Sequence, residues 1–342
     1  MSLPITATVS SKNRYDILSH CLMSIALQIN PPSELIIFDD SDQKVDLRNN
    51  PIYFNIFKIF ERKNIQWRVE FGKGVGQVAN HQKSIEISKY DWIWRLDDDN
   101  VAESDCLQKL YSHTFDNEVG AIGGVVLHPD IIFPSEATSV SIKEINLKYA
   151  VQFYKFDGIQ KVEHLYSTFL FKKSCDVNYN LNLSPAGHRE ETLFTHEVFR
   201  RGFKLLVDGS AITWHCKAPT GGIRSYNGNP EYWARDEKVF QDKLKEWNIN
   251  PFIYKLIYLD NGIGDHYAFR HILPEIKEKY PNDKIIISAC YPDVFFDEKD
   301  VEIVHLDAGK IFANGNVDRF NVYKLGYENQ RPLIQVFREI YL

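Results

Sequence analysis

Three consecutive aspartates, Asp97, Asp98 and Asp99, end the apolar run DWIWRL at residues 91–96. Carboxylates this close repel one another, and burying them unpaired is expensive. Asp97 and Asp99 have the one-residue spacing that lets two carboxylates at a strand end hold one hard divalent ion through oxygen. Mg2+ or Mn2+ held in this way keeps water and phosphate ligands. Asp98 then points elsewhere. A second acidic cluster, Asp39 and Asp40, ends another apolar run, ELIIF at residues 34–38.

The surrounding pattern predicts how the clusters are carried. Ile5 to Ser10 reads as a strand. Asp16 to Gln28 reads as a helix, with Ile17, Leu18, Cys21, Leu22 and Ile25 on one face. Glu34–Asp40 is a short buried strand, Ile65–Phe71 another, Val75–Ile87 a helix and Trp92–Leu96 the next strand. This alternation predicts an α/β fold with a mixed, mostly parallel sheet covered by helices. Ligands bind such sheets beyond the carboxyl ends of the strands, so both aspartate clusters should open into one crevice. Further on, strands are expected at Tyr166–Phe171 and Ala211–His215, and helices at Glu190–Arg201 and Glu231–Trp247. A polar, Gly-rich loop, Lys217–Pro230, lies between the last two. A fresh strand-turn-helix begins near Tyr254. The expected domains are therefore 1–248 and 249–342.

Composition narrows the function classes. The chain has 342 residues, 44% hydrophobic and 25% charged, as expected for a globular protein with a real core. Its formal charge of −6 argues against generic nucleic-acid binding. The five cysteines are scattered with no CxxC pair, which suggests reduced thiols rather than a zinc site or disulfide framework. There is no signal-peptide pattern and no run of ~20 apolar residues. A cytoplasmic protein is expected, with at most peripheral membrane association.

Four ordered segments together resemble the family 2 glycosyltransferases of the GT-A fold, over residues 3–247. They are TVSSKNRYDILSHCLMSI, LIIFDDSDQ, GKGVGQVANHQKSIEISKYDWIWRLDDDN and REETLFTHEVFRRGFKLLVDGSAITWH. The resemblance implies a nucleotide-sugar donor and a glycan or lipid-linked glycan acceptor. It implies that Asp39 meets the base edge and that Asp97 faces ribose and metal. Asp99 and His215 would complete a site for Mn2+ or Mg2+, and Ser11 and Asp98 join the donor-binding set. In the acidic pair Glu190–Glu191 the second member takes the place of an aspartate general base; both are candidate catalytic residues. Many relatives carry an arginine where this chain has Ala79, so a diphosphate contact is sought in Arg14, Lys73 and Arg95 instead. The loop Lys217–Pro230 is assigned to the acceptor, with Trp214, Tyr226, Tyr232 and Trp233 as candidate sugar platforms.

Residues 254–342, through the stretch LDNGIGDHYAFRHILPEIKEKYPNDKIIISAC that starts at Leu259, resemble the start of a heptosyltransferase-like, GT-B domain. A small Rossmann-like segment is expected there. The function implied is a metal-dependent, inverting glycosyltransferase using a UDP-sugar by preference in surface-glycan synthesis. One rival is a sugar nucleotidyltransferase, whose Gly-rich phosphate loop is missing from SSKNR. The other is a non-catalytic glycan-binding or scaffold protein, which the joint presence of D-x-D, the acidic pair and His215 argues against.

Overall fold

The computed structural model describes residues 2–72, 74–128, 138–147, 149–226, 229–260, 262–306 and 322–342. They form two compact units. The larger is built from the chain up to residue 128, Val140–Ile142 and Ala150–Asn250. The smaller comprises Pro251–Leu342 together with residues 138–139 and Lys143–Tyr149 from the middle of the chain.

The chain opens with β1 (Leu3–Ser11), α1 (Tyr15–Ala26), β2 (Pro32–Asp39), α2 (Pro51–Arg62), β3 (Gln66–Phe71), α3 (Gln77–Ile87) and β4 (Trp92–Asp97). This is the expected alternation, with α2 added. Its start signal is local: Asn50 Oδ1 accepts from the Ile52 N–H, and Pro51 occupies the first turn, where its missing N–H costs nothing. Then come β5 (Asn100–Ala102), α4 (Cys106–Ser112), β6 (Val119–Leu127), the two-residue strands β7 (Thr138–Ser139) and β8 (Tyr149–Ala150), and β9 (Ile159–Val162). β10 (Phe169–Lys172), α5 (Glu190–Arg200), β11 (Lys204–His215) and α6 (Pro230–Glu246) close the large unit.

Its sheet runs β3-β2-β1-β4-β10-β6-β11-β5, with β9 also on β11. β3, β2, β1 and β4 are parallel, as are β6 and β11, while β10, β5 and β9 run against their neighbours. The sheet is mixed and mostly parallel, as expected. The run LIIF of β2 is fully buried because helices cover both faces of the central strands. One core joins β1, β2 and β4 to α1, α2 and α4 through Ile25, Phe60, Trp94 and Leu107.

One expectation shifts, and a segment that carried none joins the sheet. GAIGGVV, whose glycines mask any strand pattern, is part of β6, and β11 begins at Lys204 rather than near Ala211. The two facts share a cause. β11 changes register against β6 between Asp208 and Ile212, and a Cβ at Gly124 would lie 2.2 Å from the Ala211 carbonyl oxygen. Glycine at 124 therefore lets β6 pass the irregularity in β11.

In the smaller unit β12 (Tyr254–Leu259), β13 (Lys284–Ala289) and β14 (Val301–His305) form a parallel sheet, with α7 (Ile263–Arg270) and α8 (Leu273–Lys279) between the first two. A C-terminal helix, Leu333–Tyr341, packs Phe337 and Tyr341 against Phe269. This is the Rossmann-like segment expected from the sequence. Among the described residues no helix is long and apolar enough to cross a membrane.

Each unit has its own buried core, so a chain ending after Asn250 should fold. Its segment 143–149 loses the backbone bond from Phe252 to Lys143, and local loosening is expected there. The measurement is thermal unfolding with circular dichroism; absence of a cooperative transition would disprove independent folding.

Candidate active site

The parallel register sets the floor of the site. Ser11 pairs with Asp39, Asp39 with Phe71, and Ser10 with Asp97, so β1 to β4 end along one edge. At that edge lies a cavity of about 190 Å³. After β4 the chain turns through Asp98 and Asp99 and returns as β5, which pairs antiparallel with the end of β11. That pairing sets His215 opposite Asn100 and beside Asp99, and the Cys216 N–H donates to the Asp99 carbonyl at 2.8 Å. Two stretches more than 100 residues apart thus meet through a three-residue strand.

Each aspartate has a different set of partners. Asp98 is buried, accepting from Ser11 Oγ at 2.8 Å and Arg14 Nη1 at 2.7 Å. Burial pushes its carboxyl up to about 6 against the pull of Arg14. Asp99 is also buried. One oxygen lies 3.2 Å from His215 Nε2; the other accepts from the Ala218 N–H at 3.1 Å and sits 3.3 Å from Arg14 Nη1. Burial disfavours its charge, but His215, Arg14 and the amide win, holding the carboxyl down to about 2. His215 is raised in turn: Asp99 outweighs the cost of burial. Asp97 is the most open of the three, accepting from Ser167 Oγ at 2.6 Å with Arg95 3.6 Å away. Ligand atoms of Asp97, Asp99 and His215 all lie within 4.8 Å of one another.

The wall opposite is the start of α5, and α6 positions it. The buried Asp236 carboxylate accepts from the Ser184 N–H (2.5 Å), Ser184 Oγ (2.7 Å) and the His188 N–H (2.9 Å), fixing the turn before Glu190. Adjacent helical residues point about 100° apart, so the acidic pair divides. Glu190 is buried and gripped by Arg95, with nitrogens at 2.5 and 2.9 Å. Burial pushes its carboxyl up to about 8, against Arg95. Glu191 lines the cavity, and burial raises its carboxyl too.

The other candidates are placed as follows. Ser11, Arg14 and Arg95 line the cavity, but their polar groups are engaged with Asp98, Asp99 and Glu190. Asp39 is fully buried; its oxygens accept from Tyr15 OH at 2.7 Å and the Ser41 N–H at 3.0 Å. Its neighbour Asp40 lines the cavity and accepts from the Gly74 and Gly76 amides. Lys73 lies outside the described residues. Of the four aromatics, Tyr226 lines the cavity, whereas Trp214 donates to Glu103 and Trp233 packs on His188.

Sequence reasoning missed Arg224, Lys12 and Ser167. Arg224 Nη1 lies 4.0 Å from Asp99 and faces the cavity. Its loop is held over the aspartates because Gly221 and Gly222, both at positive φ, pack on Arg14; a Cβ at either would come within 2.6 Å of its side chain. The Arg14 Nε–H also donates to the Thr220 carbonyl at 2.8 Å. A lone arginine beside two glycines, just after His215, was the available signal.

Residues 6–174 match the family model described as glycosyl transferase family 2, just under half of the chain. No curated protein sequence matches. Among solved structures, TarS 1–349 from S. aureus in complex with UDP-GlcNAc is 13% identical, with 66% of this chain and 61% of that one covered and a TM-score of 0.49. A mannosyltransferase from Pyrobaculum calidifontis in complex with GDP-Man and Mn2+ is 12% identical, with 71% and 65% covered and a TM-score of 0.49. The chain thus covers less than two thirds of the length of either.

The Asp99–His215 pair has a signature in the metal-free protein. Asp99, lowered to about 2, stabilises the fold fully above pH ~4 and loses this as pH falls toward 2. His215, raised above 6.5, contributes fully below that value and loses it as pH rises through its folded value. The stability gap between wild type and Asp99→Asn should therefore be widest between pH ~4 and ~6.5. It should be on the order of 2 kcal/mol there, since each tenfold change in proton affinity is worth ~1.4 kcal/mol. Urea melts at pH 3, 5.5 and 9 test this; a gap independent of pH would rule out the pairing.

Proposed function

We propose, from the match of residues 6–174 to the glycosyl transferase family 2 model, that the chain transfers a sugar from a nucleotide-sugar donor to an acceptor hydroxyl, with inversion and with a divalent ion. The donor is UDP-linked by preference, and the acceptor is a glycan or lipid-linked glycan. The observation that carries this is one of convergence. Asp97, Asp99 and His215 bring three ligand atoms within 4.8 Å of one another, in a cavity that Glu191 also lines.

Two carboxylates and an imidazole nitrogen suit Mn2+ or Mg2+. An ion held there supplies positive charge against the diphosphate as it leaves. The chain's own cations surround the same place. Arg224 faces the cavity and is only partly matched by Asp99, so it serves the diphosphate. Arg14 and Arg95 are occupied with carboxylates and hold the frame instead. Asp39 acts on the base end of the cleft indirectly, by fixing the turn at Asp40 and Ser41, where the Asp40 carbonyl accepts from Lys12 Nζ.

Glu191 is the general base. As the acceptor oxygen attacks the anomeric carbon, its proton passes to a Glu191 carboxylate oxygen and the nucleoside diphosphate departs. Burial raises the affinity of that carboxylate for the proton. A single displacement inverts the anomeric centre and needs no protein nucleophile. The enclosed cleft contributes by holding both reactants in line.

Two variants test these roles. Glu191→Gln should keep UDP and Mn2+ binding by calorimetry but lose turnover on the order of 10² to 10⁴. An active Glu191→Gln with a dead Glu190→Gln would move the base to Glu190. Asp99→Ala should abolish Mn2+-dependent UDP binding while the fold persists; unchanged affinity would remove the ion site.

A further inference from the structure

A second histidine stands behind the first. His128 follows β6, and the parallel register Leu127–Trp214 carries it alongside His215. The two Nδ1 atoms are 3.2 Å apart, with ring centroids separated by 4.5 Å. The edge of Phe153 holds the His128 ring from another side, with centroids 4.7 Å apart. His128 Nε2 is buried and, among the described residues, has no hydrogen-bond partner.

This contact has one chemical requirement: between two Nδ1 atoms at that distance, one carries hydrogen and the other a lone pair. Neutral His215 has a single ring proton. On Nε2 it donates to Asp99, 3.2 Å away, and no lone pair remains for an ion. On Nδ1 it leaves Nε2 free to ligate, but an acceptor must then face Nδ1. Metal-bound histidines meet this need through a carboxylate, carbonyl or water. Here the facing group is the bare Nδ1 of His128, which must carry its own proton on Nε2. Among the described residues that Nε2–H meets no acceptor, a desolvation cost that a leucine filling the same space would avoid. The imidazole therefore does something that packing does not require.

We propose that His128 is a positioning residue for the ion site: its Nδ1 accepts from His215 Nδ1–H and holds that ring in the tautomer whose Nε2 binds the metal. The inference rests on the ion site proposed above. Its test uses the full chain with Mn2+ alone, read as free Mn2+ by electron paramagnetic resonance and as nitrogen-14 modulation from a bound imidazole in spin-echo spectra. His128→Leu keeps the bulk and removes the acceptor; His128→Asn restores an oxygen acceptor near the Nδ1 position. Circular dichroism checks that each variant is folded. His128→Leu should bind Mn2+ about 10- to 100-fold more weakly, with the nitrogen modulation diminished. His128→Asn should return most of the affinity. Wild-type binding in His128→Leu, or a His128→Asn as weak as His128→Leu, would overturn the role of His128 even if Asp99→Ala abolishes Mn2+ binding. A wild-type chain that takes up no Mn2+ would overturn the ion site and this inference together.

Discussion

Three carboxylates end one strand, and the surroundings are arranged so that they can be buried there. At ~4 Å and an effective dielectric of ~20, two like charges cost each other about 4 kcal/mol, and desolvation adds to it. No single partner offsets that. Arg14 takes Asp98 and shares Asp99; His215 and a backbone amide take the rest of Asp99; Ser167 and Arg95 attend Asp97. The difference in openness follows. Asp98 and Asp99 are both buried by their partners, whereas Asp97 stays the more open, and all three line the cavity. The unequal pairing gives three identical residues three different surroundings.

Those partners come from the ends of the domain, which links the site to the topology. Arg14 follows β1, Ser167 precedes β10, and His215 ends β11. β5 matters more than its length suggests, since its pairing with β11 carries His215 to Asp99. The loop after β11 then folds back onto Arg14, where two glycines at positive φ leave room for the guanidinium. Arg14 therefore neutralises two carboxylates and anchors the loop that brings Arg224 to the cavity. One side chain thus serves both the aspartates and the loop above them.

What the sequence disclosed follows from the range of the forces involved. Strand ends and the β–α alternation were legible because apolar runs and turn residues are local signals; β1 to β4 and the shared edge of Asp39, Asp97 and Ser10 needed nothing more. The assignments that failed or stayed open depend on distant residues. β6 was obscured by glycines, of which Gly124 answers the irregularity in β11, some 85 residues later. Asp39 and Asp40 are indistinguishable in a string, yet the pleat turns one toward Tyr15 and the other toward the cavity. Glu190 and Glu191 are separated only by helical phase, and that phase is set by a turn that Asp236 holds from α6. The two-histidine contact was invisible for the same reason: parallel register between β6 and β11 is a tertiary fact.

The Arg95–Glu190 pair couples the two halves of the site. Arg95 lies two residues before Asp97 on β4, and Glu190 one residue before Glu191 on α5. Buried ion pairs of this kind seldom add net stability, because desolvation consumes the attraction, but losing one partner typically costs ~3–5 kcal/mol. Their value here is geometric. With both nitrogens on one carboxylate, the guanidinium fixes distance and orientation together. The strand that carries Asp97 is thereby tied to the helix that carries Glu191. An apolar pair of equal volume could fill the space, but it would let α5 turn slightly on its axis. Since about 100° of phase separates Glu190 from Glu191, even a fraction of that rotation would turn Glu191 away from the cavity it lines. The charge pair is thus better understood as a constraint on helix phase than as a source of stability.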